Sequence, residues 1–327
     1  MGHQAAASEP QGNARRDRGM AAAGAGFVRS LKARSTRSTT MATSGKPVRI
    51  IRPEQLGFGE GSVSPSDFGW HMLAEGDSWF SFGSLLGNNL LNRLAFERRT
   101  LVTSTARPGD TLKHMADWWG DPDFAALVDG GPHGNRAWEF DAILLSGGGN
   151  DLIDAVNDRV VDQQLLRKLL PGSDPGMPED CVHADAWDLF EGYLRANFGM
   201  VLQLAANSAR NGATPIFVHT YDYPTPNDAP AALGSGPWLL PAMVAHNIPE
   251  PMHQPLADHL IERLAHVVRT LGLANVHVID TLGTLVRAAP DSRGNSNDWL
   301  NEIHPNAGGY RKLAAAWRAT IEAVIAP

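Results

Sequence analysis

The chain is nearly without cysteine: among 327 residues only Cys181 carries a thiol. An internal disulfide is therefore excluded, and the fold owes nothing to an oxidising compartment. No stretch approaches the roughly 18 uninterrupted apolar residues of a membrane span, so none is expected. Positive charge is also short, at a formal net charge of −7, which argues against a nucleic-acid partner. Charged residues make up only 19%, whereas hydrophobic residues reach 43%, ample for one large core. His114, His133, His183, His246 and His253 stand at no metal-ligand spacing, so no metal is expected. Gly57 to Ser62 is glycine-rich but lacks the dinucleotide fingerprint and reads as a linker. The expected location is the cytoplasm.

The charge that is present is unevenly spread. Residues 1–46 hold Arg15, Arg16, Arg18, Arg29, Lys32, Arg34, Arg37 and Lys46 against Glu9 and Asp17, an excess of +6. With a total of −7, the remainder carries −13. The leader is rich in Ala, Ser, Thr and Arg, and its apolar piece from Met20 to Val28 is short and broken by glycine. It reads as a disordered basic tail, or as sequence translated ahead of a start at Met41, rather than a signal peptide.

Residues 47–327 alternate strand and helix. Trp70 to Ala74 is an apolar run that ends in Gly76-Asp77-Ser78, and Leu86, Leu90, Leu91 and Leu94 follow at helical spacing. Leu101 to Thr105 forms a second strand, followed by a helix started by Asp110 or Thr111, with Leu112, Met115, Ala116 and Trp119 on its buried face. Ala142 to Leu145 is a third strand of the buried parallel type, ending in Gly147-Gly148-Gly149-Asn150-Asp151. Strands at Pro215–His219 and Val276–Asp280 and long helices near 186–211, 256–271 and 306–324 complete the pattern. Five strands alternating with helices predict a parallel sheet covered on both faces, a three-layer α/β/α sandwich. A proline-rich insertion at about 222–255, with the apolar knot Trp238-Leu239-Leu240, is expected to form a lid or wall over a substrate site.

Four residues fall at strand ends or at the start of the last helix: Ser78, Gly109, Asn150 and His304. Open α/β sheets bind ligands at that edge. Each has a task in acyl transfer. Ser78 can attack a carbonyl, and His304 can take its proton and return it to the leaving alcohol. The backbone N–H groups of Ser78 and Gly109 and the amide of Asn150 can face the oxyanion. No Gly-x-Ser-x-Gly elbow surrounds Ser78, which sets it apart from the α/β-hydrolases.

In order and setting these blocks resemble the SGNH (GDSL-type) hydrolase family, from Trp70 to the C-terminus. Gly76-Asp77-Ser78 is similar to the family's first block, with Trp79 where leucine is common. Gly109 resembles the second-block glycine, Gly148-Gly149-Asn150-Asp151 the third block, and His304-Pro305 the last. The resemblance implies a flavodoxin-like sandwich and a serine esterase or lipase that cleaves carboxylic esters, including those of small molecules or carbohydrates, without metal or organic cofactor. It departs from the family at Asn301, where an aspartate is usual three residues before the histidine. Asn301, Glu302, Asp298 or a main-chain carbonyl remain as partners of His304, with Glu302 preferred; failing all four, the pair is a Ser-His dyad. Trp79, Trp238 and Leu239 are expected to contact substrate, in an apolar pocket that prefers butyrate or longer acyl groups. An acyltransferase using the same Ser-His pair, or a binding protein that has lost catalysis, are the alternative functions.

Overall fold

The computed structural model describes residues 45–81, 88–130, 137–158, 164–231 and 235–326. The predicted tail lies outside them apart from its last two residues, of which Lys46 opens strand β1 (Lys46–Pro47). This strand pairs antiparallel with β4 (Ala95–Phe96) in a small separate ribbon.

The main sheet contains β2 (Arg49–Ile51), β3 (Trp70–Gly76), β5 (Thr100–Ser104), β6 (Ala142–Ser146), β7 (Ile216–His219) and β8 (Val276–Ile279). Their order is β2-β5-β3-β6-β7-β8, and every pairing is parallel. The sheet thus has six strands where five were predicted. The addition is β2, a short edge strand whose register on β5 runs from Arg49 beside Leu101 to Ile51 beside Thr103. Strands β3, β5 and β6 are buried at every position, as expected of parallel strands covered on both faces.

Besides the short α3 (Asp123–Asp129), the covering helices are α4 (Gly149–Asn157), α5 (Ala184–Asn207), α7 (Glu250–Arg269) and α8 (Ala307–Ile325). Helix α8 starts where the Asn306 side chain accepts the backbone N–H groups of Gly308 and Gly309. It buries Tyr310, Leu313, Trp317 and Ile321 at its helical period. Full burial of such a side chain contributes about 1.5–3 kcal/mol.

Three local expectations differ from the structure. Helix α1 is one turn, Ser78–Ser81, and does not run through Leu90, Leu91 and Leu94; Leu86 lies outside the described residues. Those three leucines are buried around a short 3₁₀ turn, Leu91–Arg93. Asn89 donates to the Phe80 carbonyl at 2.7 Å and accepts from the Asn92 N–H at 2.8 Å, a local turn that competes with helix. Helix α2 is also one turn, Leu112–Met115, capped by Thr111. It is followed by a turn in which Asp117 accepts from the N–H groups of Trp119 and Gly120, leaving Trp119 78% exposed instead of buried. Finally, no helix is predicted within the proline-rich insertion at 222–255, yet the insertion is partly helical. It contains helix α6 (Leu239–Ala245) and the first turn of α7.

Candidate active site

Parallel register brings the loops after β3, β5 and β6 to one edge of the sheet, where the loop before α8 meets them. Ser78 is the first residue of α1, two residues past the end of β3. Its Oγ lies 2.8 Å from His304 Nε2. Both side chains are buried, Ser78 at 7% exposure and His304 at 3%.

Asn301, and not Glu302 or Asp298, faces the other side of the imidazole. Its Oδ1 lies 3.0 Å from His304 Nδ1 and also accepts the backbone N–H groups of Ile303 and His304, at 3.2 and 2.9 Å. Two backbone donors on one side-chain atom require that atom to be the oxygen, which settles the amide orientation. The third contact must then be donated by Nδ1–H, leaving Nε2 as the unprotonated nitrogen toward Ser78. Burial lowers the His304 pKa to about 4, so the ring is neutral at pH 7 and free to take a proton. The Asn301 Nδ2 group is buried without an acceptor among the described residues. An orphaned donor of that kind costs roughly 1–3 kcal/mol.

The expectation for Glu302 is corrected by its hydrogen bonds. Its carboxylate accepts the backbone N–H groups of Trp238, Leu239 and Leu240 at 2.5, 2.8 and 2.7 Å, at the start of α6. Exposed donors at a helix start hold a carboxylate well. Asp298 is engaged elsewhere, by the Val286 N–H at 2.7 Å and Lys312 Nζ at 2.5 Å.

The three oxyanion candidates are placed as follows. Neither the Ser78 nor the Gly109 backbone N–H has an acceptor among the described residues. Gly109 adopts φ +79°, a conformation costly for any residue with a Cβ, and open space surrounds its missing side chain. The Asn150 amide, in the first turn of α4, donates to the Asp110 carbonyl at 2.9 Å and keeps its second hydrogen. That bond ties the Gly109 loop to α4.

Ser78, Trp79, Asn150 and Leu239 line a cavity of about 50 Å³ whose apolar wall includes Leu152, Ile153, Leu260 and Ile261. Trp79 also donates from its indole to the Ile303 carbonyl at 3.2 Å, joining the serine and histidine loops. Trp238 is not part of that wall. Its ring stands 5.6 Å from the His304 ring, nearly edge-on.

Sequence reading missed Tyr221 and Ser146 as the partners of Asp77 beneath Ser78. Asp77 accepts from the Tyr221 hydroxyl at 2.5 Å, the Ser146 hydroxyl at 2.8 Å and the Trp79 N–H at 3.0 Å. Burial raises its pKa to about 6 in spite of these bonds. Tyr221 holds φ +61°, and a Cβ at Gly149 would come within 2.9 Å of its ring, so α4 starts flush against it. The available signal was the run Tyr221-Asp222-Tyr223 at the end of the fourth strand. His219 is buried beside Ser146 Oγ at 2.9 Å, and burial lowers its pKa to about 3. Asp222 supports the loop after β8 by accepting from the Gly283 and Leu285 N–H groups.

Residues 61–312 match the model of the GDSL-like lipase/acylhydrolase family. A comparison with curated proteins gives no match. Among solved structures the chain is similar to an acetylxylan esterase from Geobacillus stearothermophilus, at 16% identity and TM-score 0.41 over 77% of this chain and 94% of that one. It is also similar to an extracellular lipase from Streptomyces rimosus, at 15% identity and TM-score 0.43 over 77% of this chain and 100% of that one. Likeness of that degree carries no argument about substrate.

Proposed function

The chain belongs to the GDSL-like lipase/acylhydrolase family and is a carboxylic ester hydrolase, and from that premise we propose that it works through an acyl-Ser78 intermediate on esters with short acyl groups. The observation that carries the mechanism is the Ser78–His304–Asn301 chain of hydrogen bonds, at 2.8 and 3.0 Å.

Ser78 Oγ attacks the ester carbonyl carbon while its proton passes to His304 Nε2. The carbonyl oxygen becomes an oxyanion facing the N–H groups of Ser78 and Gly109 and the free hydrogen of Asn150. Collapse of the intermediate breaks the bond to the alcohol, which leaves with the proton from Nε2. Water then attacks the acyl-serine, with His304 again taking the proton. The acid departs and Ser78 regains its hydrogen.

Asn301 brings no negative charge to stabilise the imidazolium. It does hold the tautomer that the reaction needs, whereas the roughly 10⁴-fold loss seen when a triad aspartate becomes asparagine stems from the wrong tautomer. This supports an active site over a binding protein that has lost catalysis.

The cavity volume of about 50 Å³ bears on the acyl group. A water needs about 10–15 Å³ measured in this way, so the cavity accommodates only a few water-sized groups. Acetate to butyrate esters, of small alcohols or of carbohydrates, fit that reading better than long acyl chains.

Hydrolysis of p-nitrophenyl acetate, butyrate and octanoate, with the Ser78→Ala variant alongside, tests it. Activity confined to the wild type and falling at octanoate is the expected result. Equal rates in both proteins would sink the serine mechanism, and a maximum at octanoate would sink the short-acyl assignment.

A further inference from the structure

A cluster of ionisable side chains lies next to the proposed oxyanion loop and takes no part in the chemistry above. Asp110 follows Gly109, His114 stands one helical turn later, and Asp121 comes back after the turn at Asp117–Gly120. One ligand-type atom from each of Asp110, His114 and Asp121 can be chosen so that all three lie within 4.8 Å of one another.

The individual contacts show what is occupied and what is not. His114 Nδ1 lies 2.5 Å from Asp110 Oδ1 and 3.9 Å from Asp121 Oδ2. Arg107 takes Asp121 Oδ1 at 2.7 Å. The second oxygens, Asp110 Oδ2 and Asp121 Oδ2, are buried with no hydrogen-bond partner. Their side chains are only 2% and 4% exposed, whereas His114 is 44% exposed. Two buried carboxylates that each leave an oxygen unpartnered are an energetic liability. A cation held between them and the imidazole satisfies both.

We propose that Asp110, His114 and Asp121 bind one divalent transition-metal ion of the zinc type. One imidazole nitrogen and two carboxylate oxygens make a three-ligand set with room for water in a fourth position. The nitrogen ligand selects against magnesium and calcium, which prefer oxygen donors. The 2.5 Å contact between His114 Nδ1 and Asp110 Oδ1 is shorter than the spacing of two atoms that share such an ion, so this pair must open, and the half-exposed His114 ring is the group with freedom to move. Arg107 remains on the outer oxygen of Asp121, orienting a ligating carboxylate. Glycine and proline flank this stretch, and the histidines showed no ligand spacing in the sequence, because the set is assembled by the turn. Because the Asp110 carbonyl accepts from Asn150 at 2.9 Å, the bound ion would also brace the Gly109 loop.

Equilibrium dialysis of the full chain, first stripped by a chelator, against Zn²⁺ with metal analysis tests the site, with thermal melting as a second readout. Expected are one Zn²⁺ per chain, a higher melting temperature with Zn²⁺, and no such effect of Mg²⁺. Loss of an outer partner typically weakens a metal site about 10–100-fold, so His114→Ala and Asp121→Asn, which remove ligands, should weaken binding at least that much. His183→Ala, at an exposed histidine, should bind as the wild type does. His114 is at the surface, and its variant is expected to fold; circular dichroism checks this. Absence of stoichiometric Zn²⁺ from the wild type, or unchanged binding in folded His114→Ala, would overturn the proposal.

Discussion

Two histidines, one in the loop before α8 and one in the single turn of α2, are held in opposite ways. His304 is 3% exposed, and its Nδ1 meets the uncharged amide of Asn301 at 3.0 Å. His114 is half exposed, and its Nδ1 meets the Asp110 carboxylate at 2.5 Å. The nearest carboxylate in sequence to His304, that of Glu302, is turned away to three backbone N–H groups. The difference separates two jobs that an aspartate usually performs together. At His304 the protein keeps orientation and tautomer control and gives up charge; at His114 it concentrates charge with little constraint on the ring.

The largest test of the first arrangement is Ser78→Ala, for which kcat should fall roughly 10⁴–10⁶-fold in an ester assay. Asn150→Ala removes one proposed oxyanion donor and should lower kcat about 10²–10³-fold, with a smaller change in KM.

Asn301→Asp makes His304 resemble His114. A carboxylate beside the ring favours imidazolium, so the ring keeps its proton to higher pH. The wild-type acid limb of kcat/KM is expected near pH 4, the value to which burial lowers His304, with activity lost as pH falls through it. In Asn301→Asp the limb should move up by roughly 1–3 units. An unmoved limb would mean that residue 301 does not face the ring in solution.

Glu302→Gln removes the charge that holds three N–H groups and should lower stability by about 1–3 kcal/mol, read by denaturant melting. The smallest effect is expected at His114→Ala in metal-free protein. Removing a half-exposed side-chain contact should cost no more than about 1 kcal/mol.

The sheet and the meeting of Ser78, Asn150 and His304 were legible because apolar runs ending in small polar turns recur at each strand. Which of Asn301 and Glu302 faces the imidazole was not. The two are adjacent in one irregular loop, where backbone angles and not periodicity decide direction. Only the N–H groups of α6, distant in sequence, claim the carboxylate. Trp119 was misplaced for a related reason: its spacing matches a helix, but Asp117 offers the backbone a turn that ends α2 early. The approach of Asp121 to Asp110 depends on that same turn, and so no spacing rule announces it.

The bonds from Glu302 to residues 238–240 have a mechanical side. Leu239 is part of the cavity wall, and Glu302 lies two residues before His304. Wall and imidazole are therefore coupled like two ends of a short rod. A substrate that pushes on Leu239 also pushes on the imidazole, and α6 cannot swing outward alone without breaking the tie. Acyl-group size should thus be felt in turnover as well as in affinity: a group too large for the cavity would displace the base before it is excluded from the site.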